Sequence, residues 1–353
     1  MGEAILHIGL AKTGSTAIQA MLYRNQEFVA DAGWHYPAFL NRQNHVQLAA
    51  YGASDDHHWT HRMVGAHSVE EFHRFRKEFE AEFRKATRKG NWVFTSEHIA
   101  SRLLDEDSVG RLAQLLERFD RVRVVMYVRR QDEMAVASHS TWARDGQPHP
   151  FWIDRHLKMA NRYDYRLIAE RWTSVFGSDA VEIRLYPARD VVDDFLALLD
   201  IDPASAHGLE QPPRTNVSLT DAELAFLRAM NHTLPRWADD RPTHLYADFS
   251  HLIIEGSGIG ERLRLDPAHR RAILDRFRES NEWILERAAN AEGNADYFDP
   301  EIGDEPANVD RDLTTDELTE FAAILWRHAS ELRTNLDTSQ QRVRDLERRL
   351  DER

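Results

Sequence analysis

Lys12, Ser15 and Thr16 stand in one short turn, Lys-Thr-Gly-Ser-Thr at 12–16, and together they carry the chemistry of an anion cradle. The first amides of a helix have no internal partner, and the helix dipole places partial positive charge at the same end. Lys12 adds a full charge there, Thr13, Ser15 and Thr16 add hydroxyl donors, and Gly14 lets the backbone turn tightly. A second concentration lies at Arg129 and Arg130, with Ser138 eight residues beyond Arg130. A guanidinium offers a forked set of donors matched to phosphate oxygens, and a serine two helical turns on can point back toward the same anion. The third is Ser96-Glu97-His98, which sets a carboxylate beside an imidazole, the two side chains best suited to take a proton from a hydroxyl.

The elements that must position these residues are legible around them. Ile5 to Ile8 form an apolar run that reads as a buried strand ending at Gly9, and Ala17, Ile18, Met21 and Leu22 recur at helical spacing after the turn. Residues 121–128, RVRVVMYV, read as a buried parallel strand running into Arg129 and Arg130, followed by a helix through Met134 and Ala137 to Ser138. Trp92 to Thr95 read as a strand ending at Ser96, and 181–186 as a further strand. Helices are expected at 69–89, through Phe72, Phe75, Phe79 and Phe83, at 164–176 and at 191–199. This βα rhythm predicts a three-layer α/β/α fold with a mainly parallel central sheet. In such a sheet ligands bind beyond the carboxyl ends of the strands, so the three groups of residues should face one crevice. Neighbours on a strand point to opposite faces, which predicts that Glu97 and His98 cannot both reach one reacting group in that crevice.

The loop departs from GxxxxGK[ST], because Lys12 precedes the second glycine instead of following it. A KTG triplet also occurs in serine β-lactamases, but the chain has no SxxK to accompany it. With the displaced lysine, the segment resembles the 5′-phosphosulfate loop of sulfotransferases that use 3′-phosphoadenosine 5′-phosphosulfate (PAPS). Arg130 and Ser138 stand at the spacing of that family's 3′-phosphate pair. The resemblance covers most of 4–298, tight in these two motifs and loose elsewhere, and implies a P-loop-like sulfotransferase fold. It also implies sulfuryl transfer from PAPS to an acceptor hydroxyl on a glycan or small molecule, with 3′,5′-adenosine bisphosphate as product and no metal. Lys12, Thr13, Gly14, Ser15 and Thr16 would hold the 5′-phosphate, and Lys12 would also offset charge on the departing group. The family uses a histidine or a glutamate as base. Glu97 is preferred because Ser-Glu at this place resembles bacterial members, with His98 next. His45, in an Asn-His segment also similar to related bacterial chains, is third.

Composition bounds the rest. The 353 residues, 42% of them hydrophobic, suit one large domain plus an appendage or two domains. The absence of cysteine removes disulfides, thiolate metal sites and cysteine nucleophiles. A first strand near residue 4, with no long apolar run, leads us to expect a cytoplasmic protein with no membrane span. A net charge of −14 argues against nucleic-acid binding and makes an acidic acceptor less expected than a neutral or cationic one. Asp55, Asp56, His57, His58 and His61 could supply metal ligands but read as a solvated loop. The glycines at 256–260 read as a loop too. Residues 299–312 look like an acidic linker between a domain at 1–298 and a helix at 313–353. Thr314 and Glu317 form a capping box. Leu336, Val343 and Leu350, with Leu332 and Leu346, then fall at heptad positions, which fits a short coiled coil and a homodimer or a helix lying on its own domain. Acceptor specificity is assigned to 40–68, 140–160 and 232–260. Two other readings remain open: a P-loop nucleotide kinase or NTPase, and a non-catalytic nucleotide-binding module with a coiled-coil tail.

Overall fold

Strands form where the sequence alternates apolar residues between two covered faces. In the computed structural model they are β1 (Glu3–His7), β2 (Trp34–His35), β3 (Asn91–Thr95), β4 (Arg121–Val128) and β5 (Val181–Leu185). They make a five-stranded, fully parallel sheet in the order β2-β3-β1-β4-β5. The structure describes residues 2–40, 43–187, 190–206, 209, 218–234, 237–238, 241–242 and 256–351. The sequence segments 41–42, 188–189, 213–217 and most of the 232–260 acceptor region therefore lie outside the described residues.

Helices follow in the order α1 (Ser15–Arg24), α2 (Gln26–Asp31), α3 (Val46–Gly52), α4 (His58–Met63), α5 (Val69–Ala86), α6 (Glu97–Arg102), α7 (Glu106–Leu116) and α8 (Gln131–Arg144). Next come α9 (Ile153–Lys158), α10 (Ala160–Tyr163), α11 (Tyr165–Phe176), α12 (Val191–Ala197), α13 (Asp221–Thr233), α14 (Pro267–Arg276), α15 (Arg278–Leu285) and α16 (Thr315–Asp351). Side-chain caps start several of them: Ser68 Oγ accepts from the Glu71 amide, and Asp105 from that of Ser108.

The chain forms two compact units. The first comprises Met1–Ala135, Ile153–Thr215 and Ala268–Ile302, and holds the sheet. One face of the sheet (Ile5, Val93, Val125, Tyr127) packs on Ile18, Met21 and Leu22 of α1 and on Val191, Phe195 and Leu196 of α12. On the opposite face Phe94 meets Phe83 of α5 and Phe119. Burying both faces is what makes the strands read as unbroken apolar runs. From β1 the chain leaves toward β2, whereas from β4 it leaves toward β5 on the other side. The crevice beyond the carboxyl ends of β1 and β4 is thus a topological switch point.

The second unit comprises Val136–Trp152, Asn216–Pro267 and Gly303–Arg353. Thr220 and Glu223 form a capping box at α13, and Phe226 of α13 stacks on Phe321 of α16 at 4.5 Å. The 303–312 stretch is pinned within this unit. Asn308 is buried and donates to Asp221, while Arg311 joins Asp221 at 2.7 Å to Glu317 at 2.5 Å. The expected capping box at α16 forms, with the Glu317 amide donating to Thr314 Oγ1 and the Thr314 amide to Glu317. Further along α16, Leu332, Leu336, Val343 and Leu346 are each more than half exposed. Among the described residues no helix is long and apolar enough to cross a membrane.

Candidate active site

The turn after β1 is built for close approach. Gly9 has φ +54°, and a Cβ there would come within 2.7 Å of the Glu97 Cα and 2.9 Å of the Glu97 nitrogen. His7 and Ile8 offer their carbonyls to the Ser96 and Ala100 amides, at 3.2 and 3.1 Å. The phosphate-type loop and the helix carrying Glu97 are therefore one framework. Lys12 takes a left-handed conformation at φ 64°, a strained choice for a residue with a Cβ. Thr13 ties its hydroxyl to the Leu10 carbonyl at 2.7 Å. Gly14, at φ 77°, is the N-cap of α1 and supplies no side-chain cap. Its carbonyl accepts from the Ala17 and Ile18 amides, at 2.9 and 3.2 Å. Ser15 is 6% exposed, and its buried hydroxyl has no hydrogen-bond partner. A buried orphan hydroxyl costs on the order of 1–3 kcal/mol, a cost that a bound anion at the start of α1 would remove.

Arg129 contacts this loop directly. Its guanidinium donates to the Lys12 carbonyl at 3.2 Å, pairs with Glu133 at 3.0 Å and lies over the Tyr186 ring. Arg130, the residue expected from the spacing, is held by Asp132 at 2.7 Å and by Glu133 at 3.0 Å, and Asp132 also pairs with Arg270. Ser138 is fully buried in the part of α8 that belongs to the second unit.

Glu97 and His98 do not stand on a strand. β3 ends at Thr95, Ser96 caps α6 by accepting from the His98 amide, and Glu97 opens the helix. Helical geometry turns successive residues by about 100° rather than 180°. The strand geometry expected for this pair is therefore not the one observed, and His98 Nε2 lies 3.7 Å from Glu97 Oε1. The other oxygen, Oε2, accepts from Gln19 at 3.0 Å and from Asn44 at 2.8 Å. Burial lowers the His98 pKa from its usual value, the Glu97 carboxylate opposes that, and the Arg102 charge reinforces it.

His45 is fully buried, with its Nδ1 accepting from the Thr95 amide at 3.1 Å while its own amide donates to the Thr95 carbonyl. Burial pushes its pKa down to about 3. It positions the end of β3, and its neighbour Asn44 is the residue of that segment that touches Glu97. His7, at the end of β1, is also fully buried, shares a 2.8 Å hydrogen bond with Thr95 Oγ1 and has its pKa lowered by burial to about 3. Gln19 carries no motif of its own, and Asn44 and Arg129 stand out in the sequence only as neighbours of His45 and Arg130. The helical spacing of Gln19 from the loop was the one available signal. The histidines near 57–61 form no group fit for a metal among the described residues.

No family model matches the chain, and no curated protein does. Among solved structures, a sulfotransferase from Alicyclobacillus acidocaldarius aligns with 64% of this chain and 91% of its own, at 14% identity and a TM-score of 0.35. A likeness of that extent decides nothing about chemistry. The fold stands on the strands described above, and the site on its side chains.

Proposed function

We propose that the protein is a sulfotransferase that moves the sulfuryl group of PAPS to an acceptor hydroxyl. The observation that carries this reading is the orphaned, buried Ser15 hydroxyl at the start of α1, in a strained Lys12 turn braced against the helix of Glu97. PAPS supplies an activated sulfuryl group whose bond to the phosphate oxygen breaks as the acceptor oxygen bonds to sulfur. The amides of Gly14, Ser15 and Thr16 and the two hydroxyls hold the 5′-phosphate. Lys12 offsets the negative charge that builds there. Glu97 Oε1 takes the acceptor proton, while Gln19 and Asn44 fix Oε2 and so orient the carboxylate. Arg130 is assigned to the 3′-phosphate, and must exchange its carboxylate partners for phosphate oxygens to serve there.

Thermal unfolding with 3′,5′-adenosine bisphosphate and with Mg²⁺-ATP tests the reading. Stabilisation by the bisphosphate alone is expected, at about 2.7 kcal/mol when ligand stands at one hundred times Kd. Stabilisation by Mg²⁺-ATP alone would replace it with a kinase or NTPase. Ser15→Ala should leave the free protein as stable or more so and shrink the stabilisation.

A further inference from the structure

Arg102 closes the same helix that Glu97 opens, one turn beyond His98. Its guanidinium carbon lies 4.2 Å from the centre of the Trp59 ring, and the Trp59 ring lies 4.6 Å from that of His98. The three side chains form a continuous wall beside the carboxylate. Arg102 is half-buried, and its Nε is fully buried without a hydrogen-bond partner. Among the described residues it makes no ion pair. The influences on its charge are burial and the neighbouring charge of Arg162, both unfavourable, and no carboxylate offsets them.

Arg118 and Arg171 also lack a carboxylate partner among the described residues, but both donate to backbone carbonyls, which Arg102 does not. Acidic residues outnumber Lys and Arg by 59 to 45, and arginines elsewhere in the molecule find them readily, as Arg123, Arg184 and Arg311 do. Holding a guanidinium partly desolvated, next to a second one and without a counterion, costs free energy that the Trp59 ring offsets in part and a visiting anion would offset further. Its forked donors suit a carboxylate or a sulfate, and the neighbouring Trp59 and His98 rings offer apolar surface to the body of a ligand so held. Arg102 stands one helical turn from His98, which puts their Cβ atoms roughly 5–6 Å apart, about the span of one six-membered ring.

We infer that the acceptor is a ring-sized hydroxy acid, such as an acidic sugar, whose anionic group is held by Arg102 against Trp59 while its hydroxyl meets Glu97. Local charge here prevails over the net charge of the chain, which alone favours neutral or cationic acceptors. The inference rests on the proposed sulfotransferase reading and has a separate failure.

The test uses the full chain saturated with 3′,5′-adenosine bisphosphate and titrated with p-nitrophenyl β-glucuronide and with p-nitrophenyl β-glucoside, which differ by a carboxylate against a hydroxymethyl group. Wild type should bind the glucuronide at least 10-fold more tightly. Arg102→Gln should abolish the preference while leaving bisphosphate affinity unchanged, and Arg102→Lys should restore part of it. Equal binding of the two glycosides, no glucuronide binding, or a preference that survives Arg102→Gln overturns the inference. Loss of bisphosphate affinity in Arg102→Gln overturns it as well, by assigning Arg102 to the nucleotide. Failure of wild type to bind the bisphosphate at all would instead refute the sulfotransferase reading.

Discussion

Replacing Gly9 by alanine puts one methyl group between the anion loop and the helix of Glu97. At φ +54° the residue pays the left-handed penalty, about 1–2 kcal/mol. The new Cβ would also meet the Glu97 Cα at 2.7 Å and its nitrogen at 2.9 Å, contacts with backbone that cannot swing aside. Overpacking of this kind adds roughly 1–3 kcal/mol. The expected sum, about 2–5 kcal/mol, should lower Tm by roughly 4–20 °C for a unit of this size. Gly33 supplies the control, since its φ is +89° and a Cβ there would meet nothing within 4 Å. Gly33→Ala should show the backbone cost alone. Because the clash displaces Glu97, Gly9→Ala should also lose turnover by 10-fold or more, whereas Gly33→Ala should retain it. Calorimetric unfolding and a sulfuryl-transfer assay read the two effects. Equal Tm losses in both variants, or full activity in Gly9→Ala, would refute the coupling of loop and base.

Two further outcomes follow from the same geometry. Gln19→Leu removes one of the two amide donors that fix Glu97 Oε2, an interaction with a charged group worth about 1.5–3 kcal/mol, so turnover should drop about 10–100-fold with bisphosphate affinity unchanged. A parallel loss of affinity would show that Gln19 shapes the nucleotide site instead. His7 and His45 are both buried with pKa values lowered to about 3, so the native state stays unprotonated where the unfolded chain takes up protons below its ordinary pKa near 6.5. Stability from these two groups is therefore complete above pH 6.5 and lost as pH falls from 6.5 toward 3, by about 1.4 kcal/mol per unit for each. Urea unfolding between pH 7 and 5 should show stability falling with pH, and His45→Gln should make that slope shallower; an unchanged slope would contradict the assignment.

The sequence displayed the sheet chiefly through the buried apolar runs of β1, β3 and β4, while β5 alternates buried Ile183 and Leu185 with half-buried Glu182 and Arg184. β2, two residues long at Trp34–His35, left no such run and was missed. The loop and the Glu97–His98 pair were legible from side-chain types alone. Their relation was not, since a strand and the first turn of a helix differ by a backbone angle that Ser96 sets through its cap. Gln19, Asn44 and Arg129 reach the site across 78, 53 and 117 residues of chain, separations at which local pattern carries no information. The interleaving of the two units left no mark for the same reason, as did the pinning of 303–312, which composition presents as a linker and Asn308 and Arg311 tie down.

The most direct measurement follows the backbone amide resonances of Gly14, Ser15 and Thr16 in isotope-labelled protein as 3′,5′-adenosine bisphosphate is added. Saturating downfield shifts of these three, absent when adenosine is added in its place, are the expected result. Bisphosphate binding that leaves them unmoved, or no binding at all, would contradict an anion cradle at the start of α1.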